Sequence, residues 1–185
     1  PKNSKVLNLF VFFDIFIRKS GVVNPLINGN FIYKSLNFLY GPEDSNIASF
    51  VITNGNYEFA TEKEILRILR PGGVFIDGGA HIGFFSLLAA RAVGNKGFVY
   101  SFEPTKSTRN YLERNVRLNS FLNIFISDYA LSNIDGKVSF SVTKSSEYNS
   151  VSSDQKTDNT IPIVSKSIKL CNKYISNDLD DNKYI

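Results

Sequence analysis

The sequence predicts an α/β fold, a parallel sheet with helices on both faces, and three observations carry that prediction. Val74-Phe75-Ile76-Asp77 is a short apolar run bounded by Gly72-Gly73 and Gly78-Gly79, the form of a parallel strand buried on both sides. Glycines at 78, 79 and 83 then separate it from an apolar stretch of helical length. A second apolar run, Phe98 to Phe102, ends in Glu103-Pro104, with Glu103 about twenty residues after Gly83. Strand, glycine turn, helix, strand and terminal acid, in that order, form a nucleotide-binding unit.

Each element follows from local chemistry. Between Asn30 and Val51 apolar and aromatic residues alternate loosely around Gly41-Pro42-Glu43-Asp44, which predicts one or two strands about that turn. Thr61 and Glu64 have the spacing of a capping box, so a helix is expected from Thr61, with Ile65, Leu66, Ile68 and Leu69 as its apolar face. Arg70 suits that helix's C-terminus, and Pro71-Gly72-Gly73 ends it. The next helix is expected from Ile82 to Val93, closing at Gly94, and the next strand from Gly97 to Glu103. Thr105 or Ser107 can cap a third helix with Tyr111, Leu112, Val116 and Leu118 as its apolar residues, and Leu122 to Asp128 is the third strand. This alternation argues for right-handed crossovers. Beyond it, Lys137 to Val142 alternates like a half-exposed antiparallel edge strand after an Asp135-Gly136 turn. Thr143 to Thr160 reads as a polar loop. Ile161-Pro162-Ile163-Val164 reads as a short strand that its proline places at an edge, and a last helix is expected through Ile168, Leu170, Cys171 and Tyr174.

The chain has 185 residues, 43% of them hydrophobic and 21% charged, which is enough for one domain with a sizeable core. We divide it into an N-terminal helix and strand extension, 1–60, and a ligand-binding domain, 61–185. Net charge is +4 with the lysines spread along the chain. No tight basic and aromatic strip argues for a nucleic-acid partner, so none is expected, and the high pI keeps one open as the alternative. A single cysteine, Cys171, excludes an intramolecular disulfide, which points to a reducing, cytoplasmic compartment. The one histidine, His81, has no neighbours of metal-ligand type, and no metal is expected. Val6 to Ile17 is apolar and flanked by Lys2, Lys5, Arg18 and Lys19. It is too short to span a bilayer as a helix. It reads as a helix packed on the domain or another subunit, with peripheral membrane contact as the sharper alternative.

The spacing of the glycines selects the ligand. A dinucleotide fingerprint is G-x-G-x-x-G, but Ala80 stands where its middle glycine would be, counting from Gly78. What is present is Asp77-x-Gly79-x-x-x-Gly83. A carboxylate at the strand end repels a pyrophosphate and tolerates an ammonium or sulfonium group. The loop therefore suits S-adenosylmethionine better than NAD, with Glu103 accepting hydrogen bonds from the ribose hydroxyls.

Val74 to Gly83, Tyr100-Ser101-Phe102-Glu103-Pro104, and Tyr129-Ala130-Leu131-Ser132 with the Gly136–Val142 strand together resemble the FkbM-type class I methyltransferases. Tyr57-Glu58 and Ile161 to Val164 fit the same pattern, so the resemblance covers roughly Ile52 to Val164. It implies a Rossmann-like sheet, S-adenosylmethionine as cofactor, and methyl transfer to a hydroxyl of a sugar or secondary metabolite, hence a small-molecule or glycan acceptor. Asp77, Gly78, Gly79, Ala80 and Gly83 would shape the methionine and ribose pocket, with Glu103-Pro104 on the ribose. Asp128 and Tyr129 would flank adenine. His81 stands where the family has Asn or His and would position the loop, with general-base catalysis as the alternative. Glu58 would line the pocket or serve as a surface carboxylate. The family continues into a fourth core strand with an Asp-x-Glu-Gly stretch, and this chain ends at Ile185 before it. The resemblance therefore implies a C-terminally incomplete methyltransferase sheet, and no catalytic base is assigned. Two other readings remain: an NAD-dependent oxidoreductase with an altered loop, and a non-catalytic membrane-associated binding module.

Overall fold

The structure, a computed structural model, describes residues 29–41, 45–132, 135–141, 150–151 and 160–167. It begins with an antiparallel hairpin, β1 (Gly29–Tyr33) and β2 (Leu36–Tyr40). Tyr33 pairs with Leu36, so the loop is the two residues Lys34 and Ser35. Both have positive φ, 46° and 63°, as a primed turn requires. Phe31, Tyr33, Leu36, Phe38 and Tyr40 are buried, one face of an alternating ribbon. The hairpin turn is therefore at Lys34-Ser35, and the turn expected at Gly41 to Asp44 falls largely on residues 42–44, outside the described residues. The sequence from Ser45 to Asn54, expected to continue as strand up to Val51, is helix α1. Its buried residues Ile47, Ala48 and Val51 fall on one helical face, and that packing overrides the β-propensity of Phe50-Val51-Ile52.

Helix α2 (Phe59–Ile68) starts two residues before Thr61, after Glu58 in the left-handed conformation with φ 44°. The Thr61–Glu64 capping box is thus not at the helix start, and no side-chain cap bond forms there. Glu62 decides the helix's orientation instead. Its side chain is buried, accepts a 2.6 Å hydrogen bond from the Tyr33 hydroxyl and pairs with the Lys34 ammonium. Burial and the Glu62 carboxylate push the Tyr33 hydroxyl up to about 12. Arg70 closes the end as expected, its guanidinium donating to the carbonyls of Arg67, Ile68 and Leu69.

The central unit is β3 (Val74–Gly78), α3 (Phe84–Val93), β4 (Phe98–Phe102), α4 (Lys106–Leu118) and β5 (Ile124–Ser127). The strands pair parallel in the order β3-β4-β5. This is the Rossmann-like α/β arrangement of parallel strands and helices that the sequence predicted, although α3 and α4 lie on one face where helices on both were expected. α3 is buried through Leu87, Leu88, Ala89, Ala90 and Val93. It packs with Val99, Phe75, Ile124 and Ile126, and Leu112 and Val116 of α4 join the same core. Both helices thus share one face of the sheet. Right-handed crossovers that step steadily in one direction put every helix on one side, and a helix reaches the other side only where strand order reverses. On the opposite face Phe125 stacks with Tyr100 at 5.3 Å and lies tilted against Phe98 at 5.8 Å, while Ile76 and Phe125 are exposed.

The hairpin is bonded to α4 by two asparagines. Asn115 Oδ1 accepts from the Leu39 amide (2.6 Å) and its Nδ2 donates to the Leu39 carbonyl (2.9 Å). Asn119 makes the same reciprocal pair with Asn37, at 2.8 and 2.7 Å. Four residues of helix advance about 6 Å, and two residues of strand advance about 6.7 Å. Side-chain amides at i and i+4 can therefore stand in for a neighbouring strand along the edge of β2. Asn115 Nδ2 also donates to the Ile82 carbonyl at 2.8 Å, which ties hairpin, α4 and glycine loop together. Phe84 adds the apolar counterpart, with Tyr33, Phe38 and Tyr57 rings at 5.2, 5.5 and 5.4 Å. Residues on both sides of position 60 accordingly share one core.

A second sheet follows, with strands β6 (Ala130–Ser132), β7 (Gly136–Ser141), β8 (Ser150–Val151) and β9 (Thr160–Ser167) in the order β6-β9-β7-β8. β7 is antiparallel to both neighbours, β8 and β9, so it is not the edge strand expected. β9 is twice the expected length and lies between β6 and β7. Its proline stands where the edge argument still holds, because among the described residues β6 pairs only with Ser165 to Ser167 and Pro162 is paired on the β7 side alone. The helices expected at Val6 to Ile17 and from Ile168 onward, Cys171, and most of the Thr143–Thr160 loop lie outside the described residues. No described helix is long and apolar enough to cross a membrane.

Replacing Asn115 by alanine is expected to destabilise the chain by about 2–4 kcal/mol, since it removes three bonds and leaves buried partners unsatisfied. Asn119→Ala, at the more exposed pair, should cost at most about 1 kcal/mol. Urea unfolding at fixed pH measures both, and equal costs would refute the asparagine tie as the hairpin's anchor.

Candidate cofactor-binding site

Of the sequence-predicted residues, Asp77 to Gly83 and Glu103 meet at the C-terminal rim of the parallel sheet. β3 ends at Gly78, and the loop Gly79 to Gly83 crosses toward the end of β4. The loop is held by acceptors that β4 supplies. The Phe102 carbonyl accepts from the amides of Gly79 (2.9 Å) and Ala80 (3.0 Å). The Glu103 carboxylate accepts from the His81 amide at 2.9 Å through Oε2, and from the Thr105 amide at 2.8 Å through Oε1. The Arg109 guanidinium donates to the carbonyls of Glu103 (2.8 Å) and Pro104 (2.9 Å), fixing the turn that carries the carboxylate. Glu103 is only 6% exposed, yet each oxygen keeps a second lone pair.

The small residues of the loop divide by task. Gly79 has φ +85° and open space where a Cβ would stand, so it serves conformation and leaves its outer side clear. Gly83 has φ +91°, but a Cβ there would lie 2.5 Å from Leu112 Cδ1 and 3.0 Å from Leu87 Cδ1. Its glycine is required by close packing of α3 on α4. At Gly78 a Cβ would come within 3.0 Å of Leu131 Cδ1 on β6. Ala80 puts its methyl group in the core, donates its amide to Phe102 and accepts from the Gly83 amide at 2.8 Å. A ligand could draw on Ala80 only through the second lone pair of its carbonyl. His81 takes the left-handed conformation, φ 53°, as the loop's corner.

Asp77 sits at the end of β3 on the helix-covered face. Its Oδ2 accepts a 2.5 Å hydrogen bond from the Ser86 hydroxyl of α3, which is 2.8 Å from the Ser101 hydroxyl of β4. Burial raises the Asp77 carboxyl above the usual carboxylate value, the Ser86 hydrogen bond opposes the rise, and the Glu103 charge adds to it. The other expected residues are more peripheral. Pro104 is half-buried beside Glu103. Asp128 is exposed beyond β5, followed by Tyr129, whose amide donates to the Ser127 hydroxyl at 3.3 Å. Glu58 is exposed at the start of α2, next to Tyr57, which packs on Phe84 and Phe85. Among the described residues no cluster of His, Cys, Asp and Glu could hold a metal ion.

Sequence reasoning missed Ser86, Ser101 and Arg109. The two serines carry a readable signal, a polar residue inside an otherwise apolar helix or strand. Arg109 carries none, because an arginine in a first helical turn is ordinary.

No protein-family model and no curated protein matches the chain. Partial likenesses occur among solved structures. A SAM-dependent methyltransferase from Aquifex aeolicus is 25% identical over 41% of this chain and 39% of its own, with a TM-score of 0.36. TYW2 of M. jannaschii, in complex with AdoMet, is 22% identical over 57% and 46%, with a TM-score of 0.44. A protein of Clostridium thermocellum assigned as an rRNA-methylase is 14% identical over 39% of each chain, with a TM-score of 0.38. The chain thus spans less than half the length of these proteins. The expectation against a nucleic-acid partner finds no support among them.

Two outcomes follow from this geometry. Gly79→Ala should cost only the left-handed strain, about 1–2 kcal/mol, while Gly83→Ala should cost a further 1–3 kcal/mol or so for overpacking. Equal losses in thermal or urea unfolding would contradict the division of tasks. A carboxyl whose folded pKa is raised contributes stability that is present in acid and lost as pH rises through that value. Asp77→Asn should therefore melt higher than the natural protein at neutral pH, by roughly 2–4 °C per kcal/mol gained. The gap should close below the ordinary carboxylate value of 3.8, and scanning calorimetry across pH checks the sign.

Proposed function

We propose that this chain is the cofactor-binding part of an S-adenosylmethionine-dependent class I methyltransferase of the FkbM type, transferring a methyl group to a hydroxyl of a sugar or secondary metabolite. One observation carries the reading. The amides of Gly79, Ala80 and His81, which would cradle a diphosphate in a dinucleotide site, are already bonded to Phe102 and Glu103. Carboxylates flank the loop instead, Asp77 at the end of β3 and Glu103 just after β4, an arrangement that favours a ligand with a cationic tail over a diphosphate.

Each residue then has a distinct role. Asp77 faces the ammonium and sulfonium end and supplies the opposite charge. Glu103 takes the two ribose hydroxyls on the lone pairs that His81 and Thr105 leave over. Gly79 allows close approach along the loop, and Asp128 and Tyr129 border the base. The cofactor supplies an already activated methyl group, so the protein's work is to hold nucleophile, carbon and sulfur in line at near-contact distance. A hydroxyl acceptor also needs its proton removed, which falls to a group not yet assigned. The choice of a sugar or secondary-metabolite hydroxyl rests on the FkbM resemblance, and an RNA acceptor is the alternative to test against it.

Titration calorimetry with S-adenosylmethionine should show one binding event. Asp77→Ala and Glu103→Ala should each weaken it by at least about tenfold, the scale of one lost charge-assisted contact. NADH fluorescence should stay unchanged on adding the protein. Folded protein that takes up NADH and not S-adenosylmethionine would overturn the proposal.

A further inference from the structure

The pair of serines behind Asp77 has a direction. An ionised carboxylate only accepts, so the Ser86 hydroxyl must spend its single proton on Asp77 Oδ2. The 2.8 Å contact between the two hydroxyls is then a donation from Ser101 to Ser86. The result is a one-way chain, Ser101 to Ser86 to Asp77, crossing from β4 through α3 to β3. Both serines are 0% exposed, and Ser86 is flanked on its helix by Leu87, Leu88, Ala89 and Ala90. Alanine would fill either position without burying a hydroxyl, whose desolvation is costly unless it is bonded. The chain therefore has its physical reason at its acceptor end.

We infer that Ser86, polarised by Ser101, is the positioning residue that keeps Asp77 oriented and ionised toward the cationic end of the cofactor. This rests on the function proposed above for its ligand, though the serine–aspartate coupling exists without one. Burial and the Glu103 charge favour the neutral carboxyl, and the donor from Ser86 is what opposes them. Ser86 supplies both its hydroxyl and its backbone amide, so Ser86→Ala removes the hydroxyl contribution alone. Of the titratable groups nearby, Glu103 beyond β4 acts on Asp77 through its charge, and His81 lies in the loop that joins them. α3 and β4 present the two serine hydroxyls. A cation beside Asp77 favours its ionised form, so affinity for S-adenosylmethionine should rise as pH increases through the Asp77 transition.

The test has a ligand-free arm and a ligand arm. In the first, melting temperature is measured against pH for the natural chain and for Ser86→Ala, Ser101→Ala and Asp77→Asn. Ser86→Ala should move the Asp77 transition to higher pH, Ser101→Ala should move it less in the same direction, and Asp77→Asn should abolish it. In the second, S-adenosylmethionine is titrated across the same range. Ser86→Ala should weaken binding on the acid side by up to about tenfold for each pH unit that the transition moves, and should have no further effect in the Asp77→Asn background. A uniform fall in melting temperature with the transition unmoved would overturn the inference and leave the serines as packing residues. If Ser86→Ala does not fold, Ser101→Ala decides the same question, because it leaves the Ser86–Asp77 bond in place. Failure of the natural chain to bind S-adenosylmethionine would remove the proposed function, and the ligand-free arm would still decide the coupling.

Discussion

The end of β4 supplies the acceptors on which the loop's shape depends. One carbonyl, Phe102, and one carboxylate, Glu103, take the amides of three consecutive residues, Gly79, Ala80 and His81. A five-residue loop with positive φ at Gly79, His81 and Gly83 would otherwise sample many shapes. Held this way it has one, and that shape fixes where β3 stops and where α3 starts. The same bonds change what the loop can bind. Amides turned inward cannot serve an incoming anion, so the rim offers oxygens where a phosphate-binding loop offers N–H groups.

The loop is held from its other side by the hairpin. Phe84 follows Gly83 directly and lies among Tyr33, Phe38 and Tyr57, while Asn115 joins the Ile82 carbonyl to the edge of β2. An open strand edge invites unwanted pairing. Here the edge of β2 is closed by side-chain amides of a helix, a partner that has no edge of its own to expose. The hairpin is therefore part of what holds α3 in place, and the loop inherits its rigidity from both β4 and β2. A change in the hairpin should reach the rim through Phe84 and Ile82 without touching any ligand-facing group.

How much was legible in the sequence depended on the range of the interaction. The parallel unit from Val74 to Ser127 was readable because its signals are local: apolar runs of strand length, glycines at the turns, and an acid at a strand end. Strand, helix and strand bounds there agree within two residues or so. The hairpin turn was not readable, because Lys34-Ser35 lacks the Asn-Gly or Asp-Gly signature, and the left-handed conformations are imposed by the pairing of Tyr33 with Leu36. α1 was misread because its sequence favours strand and only its docking makes it helical. α2 was misplaced because Glu62, which looks like a surface residue, is drawn inside by Tyr33 and Lys34, partners nearly thirty positions away. In the candidate site, spacing singled out Asp77 and Glu103, while Ser86 and Ser101 show only as polar residues inside apolar elements, and Arg109, which acts through a contact between elements, leaves no pattern in the chain.

Asp77 shows why local stability and ligand recognition should pull apart at this rim. A carboxylate pressed between a helix and a sheet, with Glu103 adding like charge, is a poor choice for a folded chain with nothing bound. An asparagine would keep the Ser86 contact and avoid the charge. The aspartate makes sense if a cation arrives to offset it, since the attraction is then greatest where water is least. Two buried hydroxyls beside that carboxylate fit the same logic, as they would lower the cost of the charge until a cation arrived. On this argument the strain at β3's end is concentrated in one side chain, and the residues around it, Ser86 from one side and the fixed Glu103 turn from the other, set how much of that strain a ligand can relieve.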